Sequence, residues 1–220
     1  MGSVPISRTA LLVGATGLIG SFLLQRLLES TQYARVLVWA RRDIGRAHPK
    51  LVVEVVDFDK LEQRRVEAED VFCCLGTTIR VAGSQEAFRR VDYDYPVATA
   101  KAAAKGGAKR FLVVSALGAN PGSSVYYSRV KGDMEAEVKA AGIPKVYIFQ
   151  PSMLSGRQEN KRFWEDVATA LGAMIGPLLG KYRPIHADLV AAAMISTAVQ
   201  DRPSQIVQSN EIRRLALNSR

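Results

Sequence analysis

The sequence predicts a doubly wound α/β fold, in which a parallel sheet carries helices on both faces and a small C-terminal cap. Short apolar runs alternate with helix-like stretches along most of the chain, as in repeated strand–helix–strand units. Most of these runs are continuously apolar, as expected of strands covered on both faces. At 220 residues the chain suits one domain. We therefore expect a single unit, 1–220, in which residues 151–220 contribute a small substrate cap over the carboxyl edge of the sheet.

The individual elements follow from apolar runs, helical spacing and glycine or proline punctuation. Six strands are predicted, over Thr9–Val13, Arg35–Trp39, Leu51–Val56, Val71–Leu75, Arg110–Ser115 and Lys145–Phe149. Helices are predicted over Leu18–Glu29, Ala87–Lys105 with a restart at Pro96, and Tyr127–Ala141. Beyond Pro151 the pattern predicts helices over Glu159–Ile175 and His186–Val199, a short strand at Gln205–Gln208 and a last helix from Asn210.

The composition narrows the classes of partner. The formal net charge is +9, but the basic residues are scattered in short pairs, so we expect no nucleic-acid binding. A solvated basic surface and attraction of an anionic ligand explain the charge instead. With only two histidines, no metal site is expected. No membrane segment is expected, the small-molecule substrate stays unidentified, and a homo-oligomer remains open.

The two cysteines indicate whether the cellular compartment of the protein is reducing or oxidising. Cys73 and Cys74 are neighbours in an apolar run, so their side chains point to opposite faces of a strand and do not suit a disulfide. Two thiols without a disulfide framework predict a reducing compartment, and we expect a cytoplasmic protein.

A glycine-rich turn follows the first predicted strand directly. Gly14 permits a tight turn, Gly17 lets backbone N–H groups approach a pyrophosphate, and Gly20 lets the next helix pack close to the strand. The start of that helix offers unpaired N–H groups to an anion. This strand–turn–helix context predicts a Rossmann-type dinucleotide site rather than a bare structural turn. The predicted cofactor-binding residues here are Gly14, Ala15, Thr16, Gly17, Leu18, Ile19 and Gly20.

The end of the second strand bears on which dinucleotide binds. An NAD site normally has an acidic residue there for the ribose hydroxyls, whereas this chain has Arg41 and Arg42. Two guanidinium groups match a 2′-phosphate in charge and geometry, so NADP(H) is preferred over NAD(H). Asp43 follows the pair, and NAD(H) stays open. Asp57 has two equal interpretations, a contact with the adenine amine or a cap for the next helix.

A tyrosine and a lysine, Tyr127 and Lys131, stand at i and i+4 and therefore share one face of a predicted helix. A tyrosine is a poor base at neutral pH, but a neighbouring cation lowers its pKa. The lysine can also hold the nicotinamide ribose, so one residue orients both the cofactor and the acid/base group. The pair is predicted to be catalytic, against the alternative of an ordinary surface pair.

Together these motifs resemble an atypical short-chain dehydrogenase/reductase, and most closely the Tat-interacting-protein-like group of NAD(P)H-binding oxidoreductases. The stretches that carry this resemblance are Gly14–Gly20, Phe72–Thr78, Val91–Tyr95, Tyr127–Lys131, Val130–Glu135 and Gln150–Leu154. The resemblance implies that the loop Leu75–Thr78, with Leu75, Gly76 and Thr77, lies against the cofactor. It also implies that Pro151 begins the segment passing the nicotinamide.

The resemblance further implies a serine at the end of the fifth strand that polarises the substrate. Ser115 is the leading candidate, although the strand register would also place Ala116 at that position. Ser123 or Ser124, in the loop before the tyrosine, are alternatives. We therefore expect an oxidoreductase that reduces a small carbonyl compound. The alternative is a dinucleotide-binding redox sensor without turnover.

Overall fold

The structure is a computed structural model that describes residues 8–156 and 183–217. The predicted helix Glu159–Ile175 therefore lies outside the described residues. No helix within these two ranges is both long enough and apolar enough to cross a membrane.

Within the described residues seven parallel strands form the main sheet. They are β1 (Arg8–Val13), β2 (Tyr33–Ala40), β3 (Leu51–Val55), β4 (Asp70–Cys73), β5 (Arg110–Val114), β6 (Lys145–Gln150) and β9 (Gln205–Gln208). Their spatial order is β3-β2-β1-β4-β5-β6-β9. Two short strands, β7 (Leu154–Ser155) and β8 (Ile185–His186), pair in parallel as a separate small sheet. The predicted doubly wound parallel sheet is confirmed.

Helices connect the strands and cover both faces of the sheet. They are α1 (Leu18–Glu29), α2 (Ile79–Ala82), α3 (Gln85–Arg89), α4 (Tyr95–Lys105), α5 (Tyr126–Lys139), α6 (Ala187–Gln200) and α7 (Ser209–Leu217), with a 3₁₀ helix at Phe58–Gln63. A π-helical turn, Arg90–Asp94, joins α3 to α4. The predicted restart at Pro96 agrees with the structure to within one residue, because α4 begins at Tyr95 directly after the π-turn and has Pro96 in its first turn.

The sheet separates two apolar layers. On one face the buried side of α1, including Leu23 and Leu27, packs with α6 and α7 against the even-numbered side chains of β1 and β5. On the other face α4 and α5 cover the odd-numbered side chains, among them Phe111 and Val113. Because side chains alternate along a strand, neighbouring apolar residues of β5 serve both layers. This accounts for the continuously apolar strand sequences.

The strand order creates a topological switch point at the centre of the sheet. From β1 the chain winds outward through β2 and β3, and it then returns to place β4 on the opposite side of β1. The connections that leave the carboxyl ends of β1 and β4 therefore diverge to opposite sides of the sheet. The crevice between them is where open α/β sheets bind ligands.

Residues 183–217 add to the main layers. β9 extends the sheet beside β6, and α6 packs on α1. A bidentate ion pair joins these two helices, with Arg26 Nε and Nη2 lying 2.7 and 2.8 Å from the carboxylate oxygens of Asp188. The expected cap role of residues 151–220 stays a prediction.

The packing of α5 against the loop after β5 depends on a close backbone contact at Gly132. A Cβ atom at this position would lie 2.2 Å from the backbone nitrogen of Pro121 and 2.4 Å from the carbonyl carbon of Asn120. Asn120 also donates its N–H to the carbonyl of Ser128, at 3.0 Å. The loop after β5 therefore lies directly on α5, and it fixes the position of that helix.

We expect Gly132→Ala to lower the free energy of unfolding by about 2 kcal/mol or more, because backbone atoms cannot move aside for the added methyl group. Helix propensity alone predicts the opposite, a gain of about 1 kcal/mol for alanine in a helix interior. Urea unfolding of the two proteins measures the difference. Gly122→Ala is the control, since a Cβ there would make only an ordinary 3.5 Å contact. Equal stability of the Gly132→Ala protein and the wild type would contradict the prediction.

Candidate functional site

The turn after β1 can only be made by glycine at two positions. Gly14 has φ +88°, and a Cβ there would lie 2.7 Å from both the carbonyl carbon and oxygen of Cys74. At Gly20 a Cβ would lie 2.0 Å from the carbonyl oxygen of Gly14. The first residue brings the turn against the end of β4, and the second brings α1 against the turn. Both predicted glycine roles agree with this geometry.

The start of α1 presents backbone donors to the crevice. Gly17 is its N-cap and has no side chain to cap the helix, while its own N–H donates to the Gly14 carbonyl at 3.0 Å. The N–H groups of the first helical turn, from Leu18 to Gly20, have no carbonyl partner within the helix. No acidic residue stands in that turn. A glycine-lined helix start with free donors and the positive end of the helix dipole suits an anionic phosphate.

The carboxyl end of β2 carries two solvent-exposed guanidinium groups. Neither Arg41 nor Arg42 makes an ion pair or a side-chain hydrogen bond with another residue in the described ranges. Asp43, which follows them, accepts a hydrogen bond from the N–H of Gly45 at 3.1 Å. The two arginines are therefore available to an external anion.

Asp57 caps the 3₁₀ helix after β3. Its Oδ1 accepts a hydrogen bond from the N–H of Asp59 at 3.0 Å, and its Oδ2 lies 3.5 Å from the Lys60 ammonium. The capping interpretation of Asp57 agrees with this geometry, and a contact with adenine stays a prediction. The neighbouring Asp59 accepts a hydrogen bond from the Tyr95 hydroxyl at 3.0 Å. Burial and this carboxylate raise the pKa of Tyr95, while the positive charge of Arg41 acts against the shift.

The loop that follows β4 runs beside the glycine turn. Cys74 continues the ladder by donating its N–H to the Val13 carbonyl at 2.8 Å, and Leu75 and Gly76 follow it. At Thr77 the backbone N–H donates to Asp92 Oδ2 at 2.8 Å. The loop predicted to lie against the cofactor is thus held on both sides of Gly76.

Pro151 lies at the same edge of the sheet. It is buried directly after β6, and its carbonyl accepts a hydrogen bond from the N–H of Leu117, in the loop after β5, at 3.1 Å. The segments that follow β1, β4, β5 and β6 therefore all leave the carboxyl edge, as the sequence predicted.

Tyr127 and Lys131 lie in the first two turns of α5, as the sequence predicted. The Lys131 side chain is only 3% exposed, and its ammonium lies 2.7 Å from Asp92 Oδ1. The Tyr127 ring stacks on Phe88, with centroids 5.4 Å apart and planes at 29°. Within the described ranges the Tyr127 hydroxyl has no hydrogen-bond partner. The phenol is thus held by its ring and free at its oxygen.

The electrostatics of this pair differ from the expectation of a lowered tyrosine pKa. Burial raises the pKa of Tyr127; Lys131 lowers it and Asp92 raises it further, so that the net direction is upward. Burial lowers the pKa of Lys131, but attraction to Asp92, aided by Tyr127, outweighs this and raises it overall. At neutral pH the phenol is therefore protonated and the ammonium charged. The expectation was wrong in sign because it included the cation without the burial or the carboxylate.

Ser115 directs its side chain toward the face that α5 covers. Its N–H continues the β5 ladder to the Phe149 carbonyl at 2.7 Å, and side-chain alternation sets it on the same face as Phe111 and Val113. Its Oγ is buried and has no hydrogen-bond partner in the described parts of the chain. Buried hydroxyl groups are normally paired, so an unpaired one on this face suits a ligand contact.

The alternative serines are part of a turn. Ser123 Oγ accepts a hydrogen bond from the N–H of Val125 at 3.1 Å, and the Ser123 carbonyl accepts one from Arg129 at 2.6 Å. Arg129 also donates to the carbonyl of Ser124, at 3.2 Å. These contacts shape the entry into α5, and Ser115 stays the leading candidate.

Sequence reasoning assigned no role to two residues of the site, Asp92 and Phe88. Both belong to the helical segment before Pro96, and no local spacing links them to the tyrosine. The resemblance had marked the stretch Val91–Tyr95 as specific, which was the one available signal for Asp92.

A parallel doubly wound sheet, a glycine turn at its switch point and a half-buried tyrosine beside a buried lysine at the same edge define a dinucleotide-binding protein of the Rossmann class. Comparison with known proteins gives the family: residues 14–199 match the NAD(P)H-binding family, and the chain belongs to it.

Two curated relatives narrow the group. The mitochondrial protein FMP52 of Eremothecium gossypii is 35% identical over 214 residues, which cover 92% of this chain and 95% of the relative. Protein HTATIP2 of Rattus norvegicus is 37% identical over 162 residues, covering 70% of this chain and 66% of the relative. The resemblance to the Tat-interacting-protein-like group is confirmed.

A solved structure supports the fold. MoeE5 in complex with UDP-glucose and NAD superposes with a TM-score of 0.68 over 96% of this chain and 81% of that chain, at 18% sequence identity. At this identity the likeness concerns the fold alone, and it agrees with the seven-stranded parallel sheet.

The expectation of a cytoplasmic protein is wrong. FMP52, which matches nearly the whole chain, is named as a mitochondrial protein in Eremothecium gossypii and in further fungi. The cysteine argument failed because reduced thiols indicate a reducing compartment without distinguishing the cytosol from mitochondria.

We expect the Tyr127 phenol of the unliganded protein to ionise above the ordinary tyrosine pKa of about 10, because burial outweighs the attraction of Lys131. The measurement is an alkaline titration of phenolate absorbance, in which the curve of Tyr127→Phe is subtracted from that of the wild type. A difference curve with its midpoint below pH ~9 would contradict the electrostatic description.

Proposed function

We propose that this protein is an NADPH-dependent oxidoreductase that reduces a small carbonyl compound, with Tyr127 as the proton donor. The observation that carries the proposal is the Tyr127 hydroxyl, which has no hydrogen-bond partner among the described residues and stands one helical turn from the buried Lys131 ammonium, at the edge of the sheet where the glycine turn lies. Burial raises the pKa of this phenol, so that it keeps its proton near pH 7. An acid with this protonation state suits reduction, in which a proton must be delivered to oxygen.

The residues present fit a pyridine dinucleotide. A side chain at Gly14 or Gly20 would collide with the turn itself, so the turn keeps bare backbone amides for the diphosphate. Arg41 and Arg42 would hold a 2′-phosphate at the end of β2. The loop from Leu75 to Thr77 and the segment from Pro151 would enclose the nicotinamide half.

The chemistry divides between the cofactor and the chain. When bound, NADPH supplies a hydride to the carbonyl carbon. Tyr127 then donates its phenolic proton to the carbonyl oxygen, which gives the alcohol, and it regains a proton from solvent. Lys131 stabilises the phenolate left on Tyr127 and offers its remaining N–H donors to the ribose.

Ser115 is proposed to polarise the substrate carbonyl by donating from Oγ. Its hydroxyl, which has no hydrogen-bond partner in the described ranges, lies on the face of the sheet that α5 covers. A donor aimed at the developing negative charge on oxygen stabilises the transition state.

A second function, a dinucleotide-binding redox sensor without turnover, is favoured by the burial of that same hydroxyl. Ser115 is 5% exposed and its Oγ is inaccessible, so a substrate could reach it only after a local rearrangement. A panel of aldehydes and ketones distinguishes the two functions. Tight NADPH binding without oxidation of NADPH in the presence of any of them would favour the sensor.

We expect Tyr127→Phe to lower the rate of carbonyl-dependent NADPH oxidation by about 10²- to 10⁴-fold, the usual contribution of a positioned general acid. The ring still stacks on Phe88, so NADPH affinity should stay near that of the wild type. Tyr126→Phe is the matched control, because the Tyr126 hydroxyl donates to the Gln85 carbonyl away from the pair. Unchanged turnover in the Tyr127→Phe protein would exclude this residue as the proton donor.

We expect the double variant Arg41→Ala/Arg42→Ala to lose about 10- to 100-fold in NADPH affinity while NADH affinity changes little. A charge-assisted hydrogen bond to phosphate contributes about 1.5–3 kcal/mol, and only NADPH carries the 2′-phosphate. Fluorescence titrations with both nucleotides measure the ratio. Arg35→Ala removes an exposed guanidinium from the opposite end of the same strand and is the control. A wild type that prefers NADH would overturn the proposed cofactor.

A further inference from the structure

Asp92 lies where the helix between α3 and α4 is locally widened. The π-turn Arg90–Asp94 inserts an extra residue, and the N–H of Tyr95 donates to the Arg90 carbonyl five residues back. Such π-turns are unfavourable relative to a regular helix and concentrate at functional sites. Here the turn sends the Asp92 side chain inward, where it is only 1% exposed.

Both oxygens of this carboxylate are engaged by different elements. Oδ1 lies 2.7 Å from the Lys131 ammonium on α5, and Oδ2 accepts the Thr77 N–H at 2.8 Å from the loop after β4. One buried side chain therefore joins the catalytic lysine of the proposed function to the loop predicted to contact the cofactor.

Gly76 lies directly over this ion pair. A Cβ built on Gly76 would be 3.6 Å from Asp92 Oδ1 and 3.9 Å from Lys131 Nζ. The ammonium is thus held immediately beneath the backbone of the loop.

Asp92 is the group that keeps Lys131 charged. The titratable groups around the ammonium are Asp92, Tyr127 and Cys73. Burial raises the pKa of Cys73 to about 12, and it also raises the pKa of Tyr127, so both are neutral near pH 7. Burial also raises the pKa of Asp92, although Lys131 and the Thr77 N–H oppose that shift. A buried lysine without a counter-charge loses its proton readily.

We propose that Asp92 is the positioning residue for Lys131: its carboxylate holds the ammonium, charged, beneath Gly76 at the place where the nicotinamide ribose would bind. This inference rests on the proposed function, because it assigns Lys131 to the ribose. It goes beyond that function because it makes Asp92, in the π-turn between α3 and α4, responsible for the charge and position of Lys131 on α5.

The test measures NADPH affinity from pH 6 to pH 9 in the wild type, Asp92→Asn and Lys131→Met. Asparagine keeps an acceptor for the Thr77 N–H and replaces the charged oxygen that faces Lys131 with an uncharged NH2 group. Each result is the ratio of the variant Kd to the wild-type Kd at the same pH, so ionisation of the nucleotide cancels. Asp94→Asn is the matched control, because Asp94 is exposed in the same π-turn and pairs with Arg89.

We expect the Asp92→Asn ratio to rise at least about tenfold across this range, as Lys131 loses its proton at a lower pH, and to approach the Lys131→Met ratio at the alkaline end. The Asp94→Asn ratio should change less than about threefold with pH. A purely structural ion pair would weaken binding equally at every pH. A pH-independent Asp92→Asn ratio therefore overturns the inference.

If the single variant Asp92→Asn does not fold, the double variant Asp92→Asn/Lys131→Met provides the test. The double variant removes both charges of the ion pair, whereas Lys131→Met leaves the Asp92 carboxylate buried and unpaired. The double variant should therefore unfold at a higher temperature than Lys131→Met. Its NADPH affinity should equal that of Lys131→Met. Weaker binding by the double variant would mean that Asp92 acts independently of Lys131 and would overturn the inference.

Failure of the proposed function gives a different result. A wild type that binds NADPH but oxidises it with no carbonyl compound contradicts the proposed turnover, while the pH dependence of the Asp92→Asn ratio still supports the assignment of Asp92. Normal turnover with a flat Asp92→Asn ratio contradicts only the assignment of Asp92.

Discussion

The contact between the glycine turn after β1 and the backbone at the end of β4 is the constraint on which the site depends. Gly14 lies against Cys74, and α1 lies against Gly14, with no room for a Cβ at either contact. Because β1 and β4 flank the switch point of the sheet, this contact also sets the distance between the helix donors and the loop after β4. The glycine turn follows β1 and the loop Leu75–Thr77 follows β4, so the same two strands hold both.

A second constraint is the buried charge at the reactive end. Asp92 and Lys131 compensate each other, and neither would be stable there as an unpaired ion. Tyr127 lies beside this pair and stays protonated, because burial and the carboxylate together outweigh the ammonium.

The parts of the fold and site that depend on local sequence were predictable. Gly14 and Gly20 stand between a strand and a helix in the sequence, where a tight turn needs residues without a side chain. The spacing of Tyr127 and Lys131 places both residues on one face of a helix. Asp92 was not predictable in this way, because its two partners are distant in sequence and meet it only in the folded chain. The π-turn around it is also hidden, since its residues resemble any helical stretch before a proline.

The direction of the Tyr127 pKa shift was also not predictable from the local sequence. The sequence reveals the cation at i+4, but burial of the phenol depends on Phe88 and on how α5 lies against the loop after β5. The close backbone contact at Gly132 fixes this position of α5. The sequence alone does not show that contact, because it depends on the neighbouring backbone. Charge spacing is local information, whereas desolvation is a property of the packed structure.

Calorimetric titration of the wild-type protein with NADPH tests the central claim most directly. The free donors at the start of α1 and the two exposed arginines, which have no partner among the described residues, predict saturable binding of one nucleotide per chain, with NADH binding more weakly. No measurable binding of either nucleotide at about millimolar concentration would contradict the account of the site, since binding that weak contributes only about 4 kcal/mol.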